Sequence, residues 1–362
     1  MKKLSLVYLI YVLFAILNIS ISSCGSEQKQ GNVIKISNID YKDWNKLMNF
    51  TEAIPLDNDS CLLVAATTCC INNNGIYFCD QKTKKIYLFD KKGKLINTIG
   101  EVGKSNSEYI DIRDMQLSPD NSLVCVLEPR GVVCYDAKNG KFVKRSYRVS
   151  ENNPISDRFM PMENDEFLFY NYNNTEKRIS YYSTKGNVGI SEGKCRGFIS
   201  NKFYKYHDKY RVLSDFGEFY IDEFKKGKLT RLYTFDLGDK ALPETMFPQD
   251  ARSFHFVFDM PEYHKFIGAV YETSKWLYCQ LGGLENSYYN VFIDKTDNSY
   301  YAGPSDTSMG MVVVDADDKY FYALVYPDCV NEGSFMDKFL GSKGLSLQGN
   351  PILVKFNINE TL

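Results

Sequence analysis

The chain has 362 residues, 44% of them hydrophobic and 24% charged, which is the balance of a folded globular protein and not of a disordered one. Its 43 basic residues stand against 45 acidic ones, a net charge of −2 with no Lys/Arg stripe, which argues against a nucleic-acid partner. The aromatic content of 15%, with 27 Tyr and 24 Phe, suits strands better than helices.

The N-terminus opens with Met1-Lys2-Lys3 and an apolar run from Leu4 to Ile21. A basic start before a short apolar run describes a secretory signal peptide. The run stops at Ser22-Ser23-Cys24, which resembles a bacterial lipobox. Residues 1–23 are therefore expected to be a lipoprotein signal peptide, with acylation at Cys24 and a lipidated tether over 24–31. The alternative is an uncleaved anchor, because the run is near the lower limit for spanning a bilayer. Acyl chains buried in a bilayer hold a protein firmly, so the expected location is the bacterial envelope, as an outer-membrane lipoprotein facing the periplasm or the surface.

Beyond the tether, Asn32–Ser37 reads as a strand and Asp43–Phe50 as a short helix. The clearest pattern follows, from Asn74 to Gly100. Ile76 and Phe78, then Ile86 and Leu88, alternate at the period of two that a half-buried strand requires. Asn74-Gly75 and Lys92-Gly93 supply the tight turns. The turn before the second strand recurs at Asn121, Asp165, Asp208, Ser274 and Asp318, at spacings of 47, 44, 43, 66 and 44. Spacings of about 40–50 mark the four-stranded blades of a propeller. The 66 is one period with an insertion, so six blades are expected over 32–362. Two stacked β-sandwiches do not predict this period. The last blade runs out of chain after Ile352–Asn357, and the expected closing strand is Asn32–Ser37.

Ile86-Tyr-Leu-Phe-Asp90, Gly93-Lys-Leu-Ile and Ile99-Gly-Glu-Val-Gly103 before Glu108-Tyr109 resemble the bacterial six-bladed β-propeller lipoproteins, relatives of NHL-type propellers. Phe321–Pro327 and Asn350–Val354 are similar to that family's last blade. Lys104-Ser-Asn-Ser107 replaces the usual Gly-Pro-Gly. The resemblance implies the fold and no particular activity.

Within a blade, turns joining strands one to two and three to four lie on one face of the disc, and here all are short. Every long segment falls on the other face: Gly100–Asp111, Asn171–Lys177, Gly238–Lys265, Gly282–Ser287 and Pro327–Gly349. One-sided insertions mark the binding surface of a repeat array. Candidate ligand residues there are Glu108, Tyr109, Arg113, Arg130, Tyr172, Arg252, His255, His264 and Glu285. Tyr and Arg offer flat faces and forked donors for a glycan, peptide or envelope-protein partner. Glu108, Tyr109 and Arg113 equally fit a structural role, locking the crossing between blades one and two.

Ten cysteines include Cys24, and none of the others has CxxC spacing. If Pro129-Arg130 forms a two-residue hairpin loop, Cys125 lies opposite Cys134, either as two small buried thiols or as a disulfide. No catalytic motif stands out. His207 falls in a short turn, and His255 and His264 have no third zinc ligand near them. Asp315-Ala-Asp-Asp318 and Asp57-Asn-Asp59 read as turns. The sequence thus predicts a lipid-anchored binding or scaffold module without catalytic residues or a cofactor. The alternative is a metal-dependent hydrolase or lyase of the sugar-lactonase-like type, with a divalent metal held at the central channel by acids from separate blades.

Overall fold

The computed structural model describes residues 31–64, 66–149, 156–172, 176–183, 185–193 and 201–359. The signal peptide, Cys24 and Cys195 lie outside the described residues. Blade one comprises Ala66–Ile71, Ile76–Asp80, Lys85–Phe89 and Leu95–Thr98, and blade two Asp114–Leu117, Leu123–Glu128, Gly131–Asp136 and Phe142–Arg148. Blade three is Arg158–Pro161, Phe167–Tyr170, Ile179–Ser183 and Gly186–Ser191. Blade four is Phe203–Tyr206, Lys209–Leu213, Tyr220–Lys225 and Lys228–Asp236. Blade five is Phe266–Glu272, Trp276–Gly282, Tyr288–Asp294 and Tyr300–Pro304. Blade six takes Met309–Ala316, Phe321–Val330 and Ile352–Ile358 from the C-terminus and Met48–Pro55 from the N-terminus.

The first strand of every blade approaches those of both neighbouring blades, so six inner strands surround a central channel. Packing follows the same ring. Six apolar clusters each join two consecutive blades, and the one holding Leu56, Phe78 and Phe89 with Leu324 and Leu353 closes blade six onto blade one. Each blade is a twisted sheet that buries both faces against its neighbours, which explains continuous buried runs such as Ile76–Asp80.

Closure differs from the sequence expectation in one respect. The strand beside the last strand is Met48–Pro55, antiparallel from Met48 opposite Ile358 to Pro55 opposite Ile352. Asn32–Lys35 instead adds to the outer edge of blade four, parallel to Tyr233–Asp236. The physical reason is the length and apolar content of the ladder. Met48–Pro55 spans eight residues, and its Phe50 ring lies 5.3 Å from Phe356 and 5.4 Å from Phe339. Asn32–Lys35 has four residues, of which only Ile34 is buried. The expected helix over Asp43–Phe50 shrinks to Trp44–Leu47, because residues from Met48 onward enter the sheet.

Between these two strands the chain belts the rim of blade five. Tyr41 N–H donates to the Ala302 carbonyl at 3.0 Å, and the Trp44 indole N–H donates to the Pro304 carbonyl at 2.7 Å. A Cβ at Gly303 would overlap the Tyr41 backbone, so glycine permits this close crossing. The loop arrangement does not depend on which N-terminal segment closes the ring. In all six blades the connection from second to third strand and the crossing to the next blade share a face.

Candidate functional site

On the long-loop face, the crossing from blade one to blade two is held by carbonyl acceptors and one buried acid. Glu128 is fully buried and takes Arg145 at 2.5 Å and Arg130 at 3.0 Å. Arg130 also donates to the carbonyls of Lys104 at 2.9 Å and Glu108 at 2.6 Å. Arg145 donates to the Glu108 carbonyl at 3.0 Å. The Glu108 carboxylate accepts the Ser105 N–H of its own loop at 2.7 Å. Tyr109 is buried edge-on to Tyr135, its hydroxyl donates to the Lys84 carbonyl at 3.2 Å, and burial pushes its pKa up. Arg113 reaches into blade three, to the Ser156 carbonyl at 3.1 Å and Asp157 at 3.4 Å. Glu108 and Tyr109 therefore shape one crossing loop that Arg130, from the neighbouring hairpin, clamps through its carbonyls.

Between blades three and four the same face buries an ion cluster. Asp215 lies 2.8 Å from Arg178 Nε and 3.2 Å from Lys202 Nζ, and accepts the Tyr170 hydroxyl at 2.9 Å. Burial alone would raise the Asp215 pKa, but Lys202 and Arg178 outweigh it and hold it below the usual range. Burial lowers the Lys202 pKa, opposed by Asp215. Tyr172 joins this group through its carbonyl, which accepts from Arg178, and through its N–H, which donates to Asp157 at 3.1 Å.

The insertion between blades four and five folds into two short 3-10 turns and a helix, Ala251–Phe258. Asp250 caps that helix by accepting the Ser253 N–H at 2.7 Å, and the Ser253 hydroxyl oxygen in turn accepts the Asp250 N–H at 3.1 Å. The Phe254 and Phe258 rings stack toward Phe216 and Phe266, so the aromatic stack is spent on packing the insertion. Arg252 and His255 stand exposed on the helix. His264 is fully buried, edge-on to Tyr289 at 5.0 Å, and among the described residues neither ring nitrogen is hydrogen-bonded. Burial, then Lys265 and Lys240, lower its pKa to about 4. Glu285 is exposed and accepts the Tyr289 hydroxyl at 3.0 Å. His264 and Glu285 thus meet at Tyr289, whereas Arg252 and His255 lie exposed on the helix.

Exposed apolar side chains are distributed unevenly. Leu62, Val64, Val102, Ile110, Met246, Phe256, Tyr288 and Phe335 all lie on the long-loop face, with Phe256 67% and Leu62 64% exposed. The other exposed large apolar residues among those described lie on outermost strands or, for Val312, on an inner strand, and none lies in a short turn. Sequence reading missed this one-sided distribution because exposure within a loop has no period.

The short-turn face carries polar cavities instead. One of about 430 Å³ opens at the seam of blades six and one, lined by Asn72, Asn73, Lys91, Asp317, Tyr322 and Lys355 among others. A second, of about 180 Å³, takes residues from all six blades, including Cys70, Gln116, Lys205, Tyr271 and Glu272, and so marks the channel. Lys205 bridges the channel to the Pro119 carbonyl at 2.8 Å, and His207, in its short turn, meets Asp318 at 3.1 Å. Asp317 accepts the Lys319 and Tyr320 N–H groups, and Asp57 those of Asp59 and Ser60, so both acidic stretches are turns. Among the described residues no three His, Cys, Asp or Glu side chains gather as a metal site.

Among solved structures, the chain is similar to a protein of Bacteroides fragilis NCTC 9343 described as exported, with TM-score 0.73 at 14% identity over 91% of this chain and 100% of that one. It is also similar to a member of the DUF4221 family from Bacteroides vulgatus ATCC 8482, with TM-score 0.58 at 10% identity over 86% of this chain and 98% of that one. At these identities the likeness shows the propeller fold. No curated protein matches the sequence. The model of one family matches residues 33–354, so the chain belongs to DUF4934, a domain of unknown function.

Proposed function

We propose that this propeller is a binding module of the bacterial envelope, held at the outer membrane through acylated Cys24, and that it docks a protein partner on its long-loop face. The observation that carries this reading is the confinement of exposed loop apolar groups to that face. Isolated exposed apolar residues are ordinary, whereas a collection on the elaborated face of a repeat array marks an interaction surface. Apolar side chains contribute through burial against another protein's surface, which a hydroxyl-rich glycan supplies poorly. The export-type N-terminus and the exported B. fragilis neighbour support the location.

Two measurements test the two halves. Cys24→Ala should move the protein from the membrane fraction to the soluble fraction; retention in the membrane refutes the lipid anchor. Partner capture by cross-linking in the native envelope should fail for the Leu62→Ser/Phe256→Ser double variant while its melting temperature stays unchanged. An identical cross-linked partner in both proteins would move the docking surface elsewhere.

A further inference from the structure

We propose that Cys125 and Cys134 form a disulfide that staples the central hairpin of blade two. The strands Leu123–Glu128 and Gly131–Asp136 are joined by Pro129-Arg130 alone, with Glu128 opposite Gly131 and Cys125 opposite Cys134. In a hairpin closed by two residues the first pair is hydrogen-bonded, and the pairs then alternate outward. Cys125 and Cys134 are the fourth pair, a non-hydrogen-bonded one, where opposed side chains approach most closely. Their sulfurs are in contact at 3.1 Å. Both residues are buried in the cluster between blades two and three, which holds no other cysteine among the described residues. The register thus offers each thiol one partner.

The two thiols are not equivalent. The hydrogen bond from Cys125, opposed by burial and helped by Ser146, holds the Cys134 thiol below its ordinary range. Donating that bond, together with burial, pushes the Cys125 thiol up. Exchange opens at whichever thiol is ionised in the open hairpin; take Cys134. Its thiolate attacks one sulfur of an external disulfide, and the other sulfur leaves as a thiolate with the bonding electrons. Cys125 then gives its proton to water and attacks the Cys134 sulfur of the mixed disulfide, releasing the second external thiolate. Two cysteine thiols are oxidised and one external disulfide is reduced to two thiols. Since the finished fold covers both sulfurs, exchange occurs while the hairpin is formed but blade three has not yet closed over it. The tip of the stapled hairpin is Arg130, whose guanidinium gathers the Lys104 and Glu108 carbonyls, so the bond stiffens the support of one long loop.

The inference rests on the exported location proposed above, because such bonds persist in oxidising compartments. The decisive test removes that dependence. Reduced, unfolded chain is refolded with glutathione and glutathione disulfide, alkylated under denaturing conditions, and its peptides are mapped by mass. The peptide containing both residues should lack both alkyl groups and acquire them only after reduction. Alkylation of both, or linkage of either to another cysteine, overturns the proposal. In Cys125→Ser, Cys134 should become alkylated while the other cysteines keep their wild-type state. Oxidised protein should melt on the order of 5 °C above the reduced form, and equal melting temperatures would overturn the stapling role. A bond formed on refolding but absent from protein isolated from the envelope would support the geometry and refute the location.

Discussion

The two faces of the disc are built from the same strands and yet differ in kind. On the short-turn face, Asp and Asn side chains cap their own turns, as Asp90, Asp136, Asp294 and Asp317 each do for backbone N–H groups within three residues. Those connections are fixed by hairpin geometry and have little freedom to carry a ligand. The long-loop face carries the crossings between blades together with the second-to-third-strand loops; the lengths of the crossings are free, and the exposed apolar groups collect there. A propeller therefore separates the work: one side closes hairpins, and the other can vary without disturbing the ring.

The largest expected effects test whether both faces are pinned by buried charge. Asp215 on the long-loop side pairs with Arg178 and Lys202; Glu272 on the short-turn side accepts Lys295 at 3.1 Å, Arg211 at 3.2 Å and the Tyr204 hydroxyl at 2.7 Å. Asp215→Ala takes the carboxylate from Arg178 and Lys202 and should cost about 3–5 kcal/mol in denaturant unfolding; Glu272→Ala takes it from Lys295 but leaves Arg211 its pair with Glu223, and should cost less. If one variant is near neutral, the faces are not equivalently anchored, and the comparison must be redrawn around the other.

A second, smaller effect concerns a device seen at Asp114 on one side and Asp315 on the other. Asp114, at the long-loop end of its inner strand, accepts Met115 N–H and, across the blade boundary, Phe159 N–H. Asp315, at the short-turn end, accepts Ala316 N–H and, across the seam, Ile71 N–H. Burial raises Asp114 to about 6, with Arg158 holding it down, and raises Asp315 to about 7, with Asp317 adding to the rise. Both folded pKa values exceed the unfolded value of 3.8, so the fold holds more protons than the unfolded chain between them. Their contribution is complete below the unfolded value and is lost as pH rises, through about 6 for Asp114 and about 7 for Asp315. Unfolding free energy should fall over this window by about 3 kcal/mol for Asp114 and about 4 kcal/mol for Asp315, and Asp114→Asn or Asp315→Asn should flatten its share. A slope of opposite sign would contradict burial as the cause.

The smallest effect on stability, and the sharpest on binding, is expected at the exposed apolar groups. Leu62→Ser and Phe256→Ser should each change unfolding free energy by no more than about 0.5 kcal/mol, measured in urea. A larger loss in either would mean that the side chain is packed in the ring, removing it from the interaction surface.

Most of the ring could be read from one chain of letters. The four-strand period, the turn residues and the side on which insertions fall are local facts, because a hairpin is specified by its own two strands and its turn. The pairing of Cys125 with Cys134 in register belongs to this class, since Pro129-Arg130 sets it. The candidate site was less legible. Arg130 and Tyr109 carry the chemistry that recognises ligands, but whether those groups face solvent or a carbonyl depends on a loop that approaches from the previous blade. Ion partners such as Asp215 with Arg178 are likewise separated in sequence and meet only across a blade boundary.

What the sequence by itself determined was the repeating unit: alternation at a period of two, tight turns between short strands, and one-sided long connections. Only the tertiary structure decided which N-terminal segment seals the disc. Asn32–Lys35 and Met48–Pro55 both can form strands, and nothing local ranks them. The choice is made by a partner some three hundred residues away, where Phe50 finds Phe356 and a seven-pair ladder forms, leaving the shorter segment to the rim of blade four.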